Sequence, residues 1–205
     1  MEQLANKGDG NYYYIDSFSE AKKVFGTDLA GTLQVVAKDV KIQVEFNPEA
    51  VASYRLVGYE NRDIADRDFR NDKVDAGEIG TGHTVTALYD LVLADGSEEE
   101  LATVRIRNKK PGPDSPAVEW MTAYETDEVA SRFSKASPDF QIAVAAVGFA
   151  EVLRGSPYAA EISWQQLAGL ASEAQRPGVS EDDELLSLIQ KAASLSSHRG
   201  STAGR

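Results

Sequence analysis

The chain has 205 residues, which suits one large domain or two small ones. Hydrophobic residues make up 42% and charged residues 26%, which excludes wholesale disorder, a collagen-like chain and a simple coiled coil. Lys and Arg number 21 against 33 Asp and Glu, so the net charge is −12 and disfavours binding to nucleic acid or to anionic membrane surfaces. No cysteine is present, which excludes disulfides, thiolate catalysis and Cys-based zinc sites.

The first 34 residues predict a turn, a short strand and a helix. Residues 12–16 read as a strand of about five residues, and such a strand needs a sheet to join. We therefore expect the chain to begin inside a larger protein. Ser17, with Glu20 three positions later, forms a capping box that predicts the start of the helix.

Residues 35–125 predict a β domain. Between positions 40 and 46, Lys41, Gln43 and Glu45 alternate with apolar residues, so the two sets face opposite sides of a strand. A second strand is expected to pair with the first as a hairpin-like unit, and several more follow at short spacing without intervening helices. This pattern predicts an antiparallel sandwich. The strands after the first are predicted over residues 51–59, 84–93, 101–107 and 118–124.

Residues 126–197 predict a helical region, and residues 198–205 a disordered polar tail. Ser137 precedes a proline at the first helical position, Ser163 caps a second helix, and Ser180 precedes a run of acids that favour a helix N-terminus. The predicted fold class is α+β. It consists of an antiparallel β-sandwich followed by a C-terminal helical layer and preceded by the strand and helix of residues 1–34.

Several segments carry a resemblance to a known family. Residues 8–16, with the sequence GDGNYYYID, and the helix after them resemble the last strand and last helix of a von Willebrand factor type A domain. Residues 37–48, 54–62 and 75–89 are similar to the segment that follows that domain in one group of bacterial proteins. In that group the segment belongs to a C-terminal domain of uncharacterised function. The resemblance covers most of residues 1–155.

The resemblance implies a non-catalytic interaction or scaffold module from the rear half of a bacterial cell-envelope protein. The implied partners are another protein and the upstream A domain of the same chain, with residues 17–34 transmitting the state of that domain. We expect no nucleic-acid partner and no membrane insertion in this fragment, because no apolar stretch approaches the roughly 18 residues of a membrane span. No signal peptide follows Met1.

The same family's A domain binds a divalent metal through a D-x-S-x-S motif, together with a Thr and an Asp from later loops. Asp16 has the wrong spacing to its serines. Asp95 and Ser97 are followed by Glu99 where the second serine belongs. We therefore assign no catalytic, cofactor-binding or metal-binding residue. A divalent metal is expected only in the part of the A domain that is missing from this chain.

A charged loop at residues 61–78 supports an alternative function, a calcium-dependent adhesin, because hard cations bind several oxygens. Asp66 and Asp68 begin like an EF-hand loop, but Arg70 stands where a third ligand belongs. Interleaved bases favour a salt-bridged loop instead. The acids are Asp63, Asp66, Asp68, Asp72, Asp75 and Glu78, and the bases are Arg62, Arg67, Arg70 and Lys73.

His83 supports a second and weaker alternative, a hydrolase with this residue as general base. Such an enzyme needs a serine nucleophile and an orienting acid, and the chain has no G-x-S-x-G elbow. The preferred interpretation is a strand histidine that bonds the adjacent loop. His198 lies in the predicted tail. The aromatic residues are compatible with two interpretations, core packing or a binding surface. They include Tyr12, Tyr13, Tyr14, Tyr54, Tyr59, Trp120 and Trp164.

Overall fold

The computed structural model describes residues 4–5, 8, 12–27, 29, 33–58, 64–95 and 100–202. The chain divides into two compact units, Met1–Glu128 and Val129–Arg205. Among the described residues, the first unit has six antiparallel strands and the helix Phe18–Lys22, and the second has three longer helices. The fold is therefore a mixed α+β fold, as predicted.

Helix α1, Phe18–Lys22, begins where the capping pattern predicts it. The Ser17 Oγ accepts a hydrogen bond from the backbone N–H of Glu20 at 3.1 Å. A π-helical turn, Lys23–Thr27, continues the helix. Residues 12–16 do not form the predicted strand. A strand needs a neighbour to complete its hydrogen bonds, and no strand of the described chain pairs with this segment.

Six strands form two antiparallel sheets. The larger sheet has four strands in the order β3-β1-β5-β6, and the smaller sheet pairs β2 with β4. Every pair is antiparallel. The strands are β1 Val35–Phe46, β2 Val51–Val57, β3 Gly77–Gly80, β4 Leu88–Leu93, β5 Glu100–Lys109 and β6 Ala117–Glu125.

The predicted hairpin between the first two strands is wrong, because β1 and β2 belong to different sheets. Asn47 directs this separation. Its backbone N–H donates to the carbonyl of Leu101 at 3.0 Å, and its side-chain Nδ2 donates to the carbonyl of Glu100 at 2.8 Å. These bonds hold the end of β1 against β5. The chain then turns, with the N–H of Val51 donating to the Asn47 carbonyl at 2.8 Å.

The predicted strand over residues 84–93 is shorter in the structure, where only Leu88–Leu93 forms β4. Its partner β2 ends at Val57, which lies opposite Leu88. The next residue, Gly58, has a φ of 78°, a left-handed conformation that ends the extended strand. Residues 84–87 therefore have no strand to pair with. Tyr59, which the prediction placed in β2, lies outside the described residues.

The second unit contains helices α2, α3 and α4, which span Pro138–Leu153, Trp164–Ala174 and Ser180–Thr202. Their starts lie where the serine caps predict them. The Ser137 Oγ accepts from the N–H of Phe140 at 3.2 Å, and Ser163 and Gln166 form a reciprocal capping box. These caps satisfy backbone donors that have no partner within the helix.

The core of the second unit lies where α2 and α4 pack on α3. At Gly148 a Cβ atom would lie 2.9 Å from the Cδ2 of Leu167, so glycine permits the close approach of α2 and α3. The rings of Phe149 and Trp164 meet edge to face at 6.0 Å. The buried residues of this core are Ile142, Ala145, Leu167, Ala171, Ala174 and Ile189.

Arg176 connects the three helices through two carboxylates. Its backbone N–H, Nε and Nη2 all donate to the buried carboxylate of Asp182, at 2.8, 2.9 and 2.6 Å. Its Nη1 donates to Asp139 in the first turn of α2 at 2.6 Å. The hydrogen bonds from Arg176 hold the pKa of Asp182 below its ordinary value. This arrangement fixes the turn between α3 and α4.

Helix α4 continues to Thr202, so residues 198–202 are helical where the sequence predicts a disordered tail. No proline precedes this end, and each added residue of a helix gains one backbone hydrogen bond once the helix is nucleated. His198 lies in this stretch, and residues 203–205 are outside the described chain.

We expect Ile189→Ala to lower the free energy of unfolding of the second unit by about 2–5 kcal/mol, because it leaves a cavity in a packed core. Ile189 is fully buried, whereas its neighbour Leu188 is exposed. Leu188→Ala is the matched control and should change the free energy by less than about 0.5 kcal/mol. Urea unfolding followed by circular dichroism measures both variants. Equal effects at the two positions would contradict the described packing.

Candidate interaction surface on the four-stranded sheet

The two faces of the four-stranded sheet differ in chemistry, as the alternation in β1 predicts. The strand register places Lys41 opposite Arg107, and Arg107 opposite Glu119 on β6. Gln43 and Arg105 are likewise opposite each other on this polar face. The alternate positions of β1, β5 and β6 point to the other side and are apolar except for Asn108 and Thr122.

A segment that we call the strap, residues 65–74, binds across the polar face. The Lys41 ammonium is the centre of this contact, and Lys41 is only 3% exposed. Its Nζ donates to the backbone carbonyls of Asn71 at 2.7 Å and Asp68 at 3.2 Å. A buried ammonium requires such acceptors, because burying an unpaired charge is very unfavourable. The carbonyls of the strap thus replace the water that would otherwise solvate Lys41.

The other two members of the same cross-strand row also take a partner from the strap. Arg107 donates to Asp72 at 2.7 Å, and Arg70 binds Glu119 through two parallel hydrogen bonds of 2.9 and 2.7 Å. Lys41 and Arg107 are like charges on neighbouring strands, an unfavourable pair unless counter-charges lie nearby. The strap supplies them, so its position follows from the charges of the sheet.

The carboxylates at this contact bind protons less readily than usual. The hydrogen bond from Arg107 lowers the pKa of Asp72, with the charge of Lys109 adding to the effect. The hydrogen bond from Arg70 lowers the pKa of Glu119. Conversely, the contact with Asp39 raises the pKa of Lys109. Each shift favours the charged form that the ion pair needs.

The apolar face of the sheet is exposed. One row across it contains Ile42, Ile106 and Trp120, with 48%, 37% and 66% of each residue accessible to solvent. Val118 and Tyr124 of β6 extend the same face and are also exposed. Antiparallel sheets usually bury the apolar face and leave the polar face to water. Here the strap covers the row of Lys41, Arg107 and Glu119 on the polar face, and much of the apolar face is open.

The smaller sheet touches the apolar face only at one end of β1. The ring of Phe46 lies 4.6 Å from the ring of Tyr54 on β2 and 5.2 Å from that of Tyr89 on β4. Phe46 is the last residue of its strand. The rings of Tyr54 and Tyr89 therefore cover the apolar face at Phe46, and the row that contains Trp120 stays exposed.

The structure places His83 in a turn, where the sequence predicts a strand. Its backbone N–H donates to the carbonyl of Gly80 at 3.1 Å, and the side chain is exposed. Within the described chain, the imidazole has no hydrogen bond to a hydroxyl or a carboxylate. The predicted bond from His83 to the neighbouring acidic loop is therefore not formed.

The acids of the 61–78 loop bind different partners and do not converge. Asp66 accepts a weak bond from Gln43 at 3.4 Å, Asp68 accepts from Asn71, and Glu78 pairs with Lys38 at 2.8 Å. Asp63 lies outside the described residues. Among those that are described, no group of three or more His, Asp or Glu side chains could hold a metal ion.

The aromatic residues divide between packing and exposure. Trp164 packs in the helical core, whereas Tyr12, Tyr14 and Trp120 are exposed. Tyr54 is exposed on one side and contacts Phe46 on the other. No described helix is both long and apolar enough to cross a membrane.

The sequence did not predict that Lys41, Arg107 and Glu119 lie in one row beneath the strap. A signal was present, because the polar faces of β1 and β5 carry four cations, and a loop some 30 positions away is rich in acids. The members of the row are far apart in sequence, however, and the strand register is needed to bring Lys41, Arg107 and Glu119 together.

These features define an α+β module whose larger sheet has a covered polar face and an open apolar face. The chain belongs to the family described as the C-terminal region of the uncharacterized protein YfbK, whose model matches residues 31–99 and 93–195. It is 37% identical over 195 residues to the uncharacterized protein YfbK of Escherichia coli strain K12. That alignment covers 85% of this chain and 33% of the relative, so the chain spans about a third of the relative's length. No solved structure matches.

We expect Lys41→Met to loosen the strap, because the Asp68 and Asn71 carbonyls lose a charged donor worth about 1.5 kcal/mol. Amide hydrogen exchange over residues 65–74 should become about tenfold faster. Mass spectrometry of the strap peptides measures the change, and peptides of β2 provide an internal reference. Lys38→Met is the matched control on the same strand, since the partly exposed Lys38 pairs with Glu78, which lies outside the strap. Equal acceleration in both variants would contradict this role for Lys41.

The strap contact should also weaken in acid. The pKa of Asp72 is lowered in the folded state from its ordinary value of 3.8, so the unfolded chain binds protons first as the pH falls. Its stabilisation is therefore fully present above about pH 5 and is lost on acidification through the folded-state pKa. Asp72→Asn should flatten the fall in unfolding free energy between about pH 5 and pH 2. Asp114→Asn, at an exposed carboxylate, should leave the slope unchanged.

Proposed function

We propose that this chain is a non-catalytic interaction module that binds another protein through the apolar face of its four-stranded sheet. The exposed row of Ile42, Ile106 and Trp120 is the observation that carries this proposal. Contiguous apolar patches on a protein surface mark interaction sites, and tryptophan and tyrosine are frequent anchors at their centres. The polar face is less suited to this purpose, because it carries charged side chains and the strap covers its row of Lys41, Arg107 and Glu119.

The strap also explains why this face would be retained as a binding surface. A sheet with both faces open would have to hydrate Lys41 and Arg107 on one side and expose apolar side chains on the other. With the strap in place, the polar side is closed by ion pairs and the apolar side is presented on a fixed backbone. A rigid surface loses little conformational entropy on binding.

We further propose that the two sheets form a small β-sandwich, in which the smaller sheet covers one end of the larger one. The contact of Phe46 with Tyr54 and Tyr89 supports this arrangement, because aromatic pairs commonly join the inner faces of packed sheets. Such a sandwich is incomplete over β6. The incomplete region is the same region that exposes Trp120.

The upstream partner in this proposal is a von Willebrand factor type A domain, with residues 1–34 at its end and residues 12–16 as a strand that would form only against the rest of its sheet. The exposed side chains of Tyr14, Phe18 and Phe25 support this assignment, because the sheet of such a domain would bury them. The relative extends well beyond the aligned region, which leaves room for a further domain. By the same resemblance, the divalent metal belongs to that domain, the protein acts at the bacterial cell envelope, and residues 17–34 transmit the state of the A domain.

The non-catalytic assignment is supported by the surroundings of His83, which would have to act as the general base in the hydrolase alternative. His83 is exposed in a turn and bonds no hydroxyl or carboxylate within the described chain. A general base needs to lie within hydrogen-bond reach of the group that it activates. We therefore favour interaction over hydrolysis.

Capture from an envelope extract of the bacterium that encodes the protein tests this function. The double variant Ile106→Thr/Trp120→Ser should retain at least about tenfold less bound protein than the unaltered chain, because it removes anchors of the apolar face. Val92→Ser is the matched control, since Val92 is 59% exposed on the smaller sheet. Circular dichroism checks that all variants fold. Equal capture by the double variant and the control would contradict the proposal.

A further inference from the structure

Strand β6 is an open edge of the four-stranded sheet. It pairs with β5 on one side, and no strand of the described chain pairs with its other side. The ladder runs without interruption from the pair of Ala102 and Tyr124 to the pair of Lys109 and Ala117. The nine-residue strand, regular over residues 117–124, thus presents a row of backbone N–H and C=O groups that can accept another strand.

This edge lacks the features that usually prevent strand addition. Natural edges carry lysine, proline or bulges, or are very short. The opposite edge of the sheet, β3, has only four residues and joins β1 through shifts of register. Strand β6 contains no lysine or proline, and its central acid, Glu119, is bound by Arg70. The one remaining charge, Glu125, stands at the end of the strand.

We propose that the chain forms a symmetric dimer by antiparallel pairing of β6 with β6 of a second copy, centred on Met121. The two four-stranded sheets would then join into one sheet of eight strands. The occupant is a second copy because β6 is complementary to itself in this register. Met121 faces the same residue of the second copy, Glu119 faces an alanine, and Glu125 faces another alanine, so no like charges oppose each other.

Neighbouring registers are less favourable. Centring the pair on Thr122 places Glu119 opposite Glu125, which sets like charges directly across the ladder. Centring it on Trp120 places Tyr124 opposite Pro116, which has no backbone N–H to donate. The register centred on Met121 spans all nine residues of the strand, and its outermost pair requires the Glu128 carboxylate to release the backbone N–H of Glu125, to which it is bonded at 2.8 Å.

This register also keeps the two faces of the sheet consistent. Trp120 faces Thr122 of the second copy and Val118 faces Tyr124, and all of these belong to the apolar face. The apolar faces of both copies therefore lie on one side of the joined sheet. The inference goes beyond the proposed function, because backbone groups form the ladder whether or not the apolar face binds another protein.

Analytical ultracentrifugation of the whole chain over a wide range of concentration tests the dimer. The unaltered chain should reach twice its monomer mass of 22.2 kDa. Met121→Lys and Met121→Glu should each raise the dissociation constant at least about tenfold, because each places two like charges in contact at the centre of the interface. Met121 is 67% exposed, so neither change disturbs a core.

An equimolar mixture of the two Met121 variants provides the decisive measurement. Lysine then faces glutamate, and the mixture should form the dimer again, which is expected only if residue 121 opposes itself. Val92→Lys is the matched control and should dimerise like the unaltered chain. Because the chain has no cysteine, Met121→Cys should also give a single disulfide-linked dimer under mild oxidation.

Three results would overturn the dimer: a monomer at every concentration, a dimer that survives Met121→Lys, or a mixture that fails to restore association. The double variant Ile42→Thr/Ile106→Thr, whose two residues belong to the exposed apolar row but lie outside β6, separates this inference from the proposed function. It should lose capture of the partner protein and still form the dimer.

Discussion

The burial of one ammonium group under the strap determines how the first unit presents its larger sheet. The buried ammonium of Lys41 requires hydrogen-bond acceptors in place of water, and the carbonyls of Asp68 and Asn71 provide them. Once these bonds form, Arg107 meets Asp72 and Glu119 meets Arg70. The polar side of the sheet is then closed, and the apolar side is the one that remains for other molecules.

The sequence predicted which residues share a face of the sheet, but not which face would be covered. Alternation is a local property, so the polar and apolar sets of β1 can be read directly from residues 40–46. Whether the strap covers the polar face depends on a contact between positions 41 and 71, and no local sequence pattern predicts that contact. The hairpin error has the same origin, since the backbone N–H and the side-chain amide of Asn47 donate to residues more than 50 positions later.

The helical unit was more predictable than the β unit, because its boundaries depend on single residues. Ser137 and Ser163 mark helix starts through bonds to residues three positions later. The functional surface had no comparable signal. The sequence pattern around Trp120 is the same for a core residue and for a surface residue. Whether its side chain is buried depends on which face of the larger sheet the second sheet and the strap cover.

The paired hydrogen bonds between Arg70 and Glu119 have a consequence for how this family can diverge. A fork of two parallel bonds depends on the shape of both groups, so lysine does not replace arginine there without loss. A change at either position breaks both of these bonds, which join the strap to β6. Among related chains, the residues at positions 70 and 119 should therefore be exchanged together or not at all.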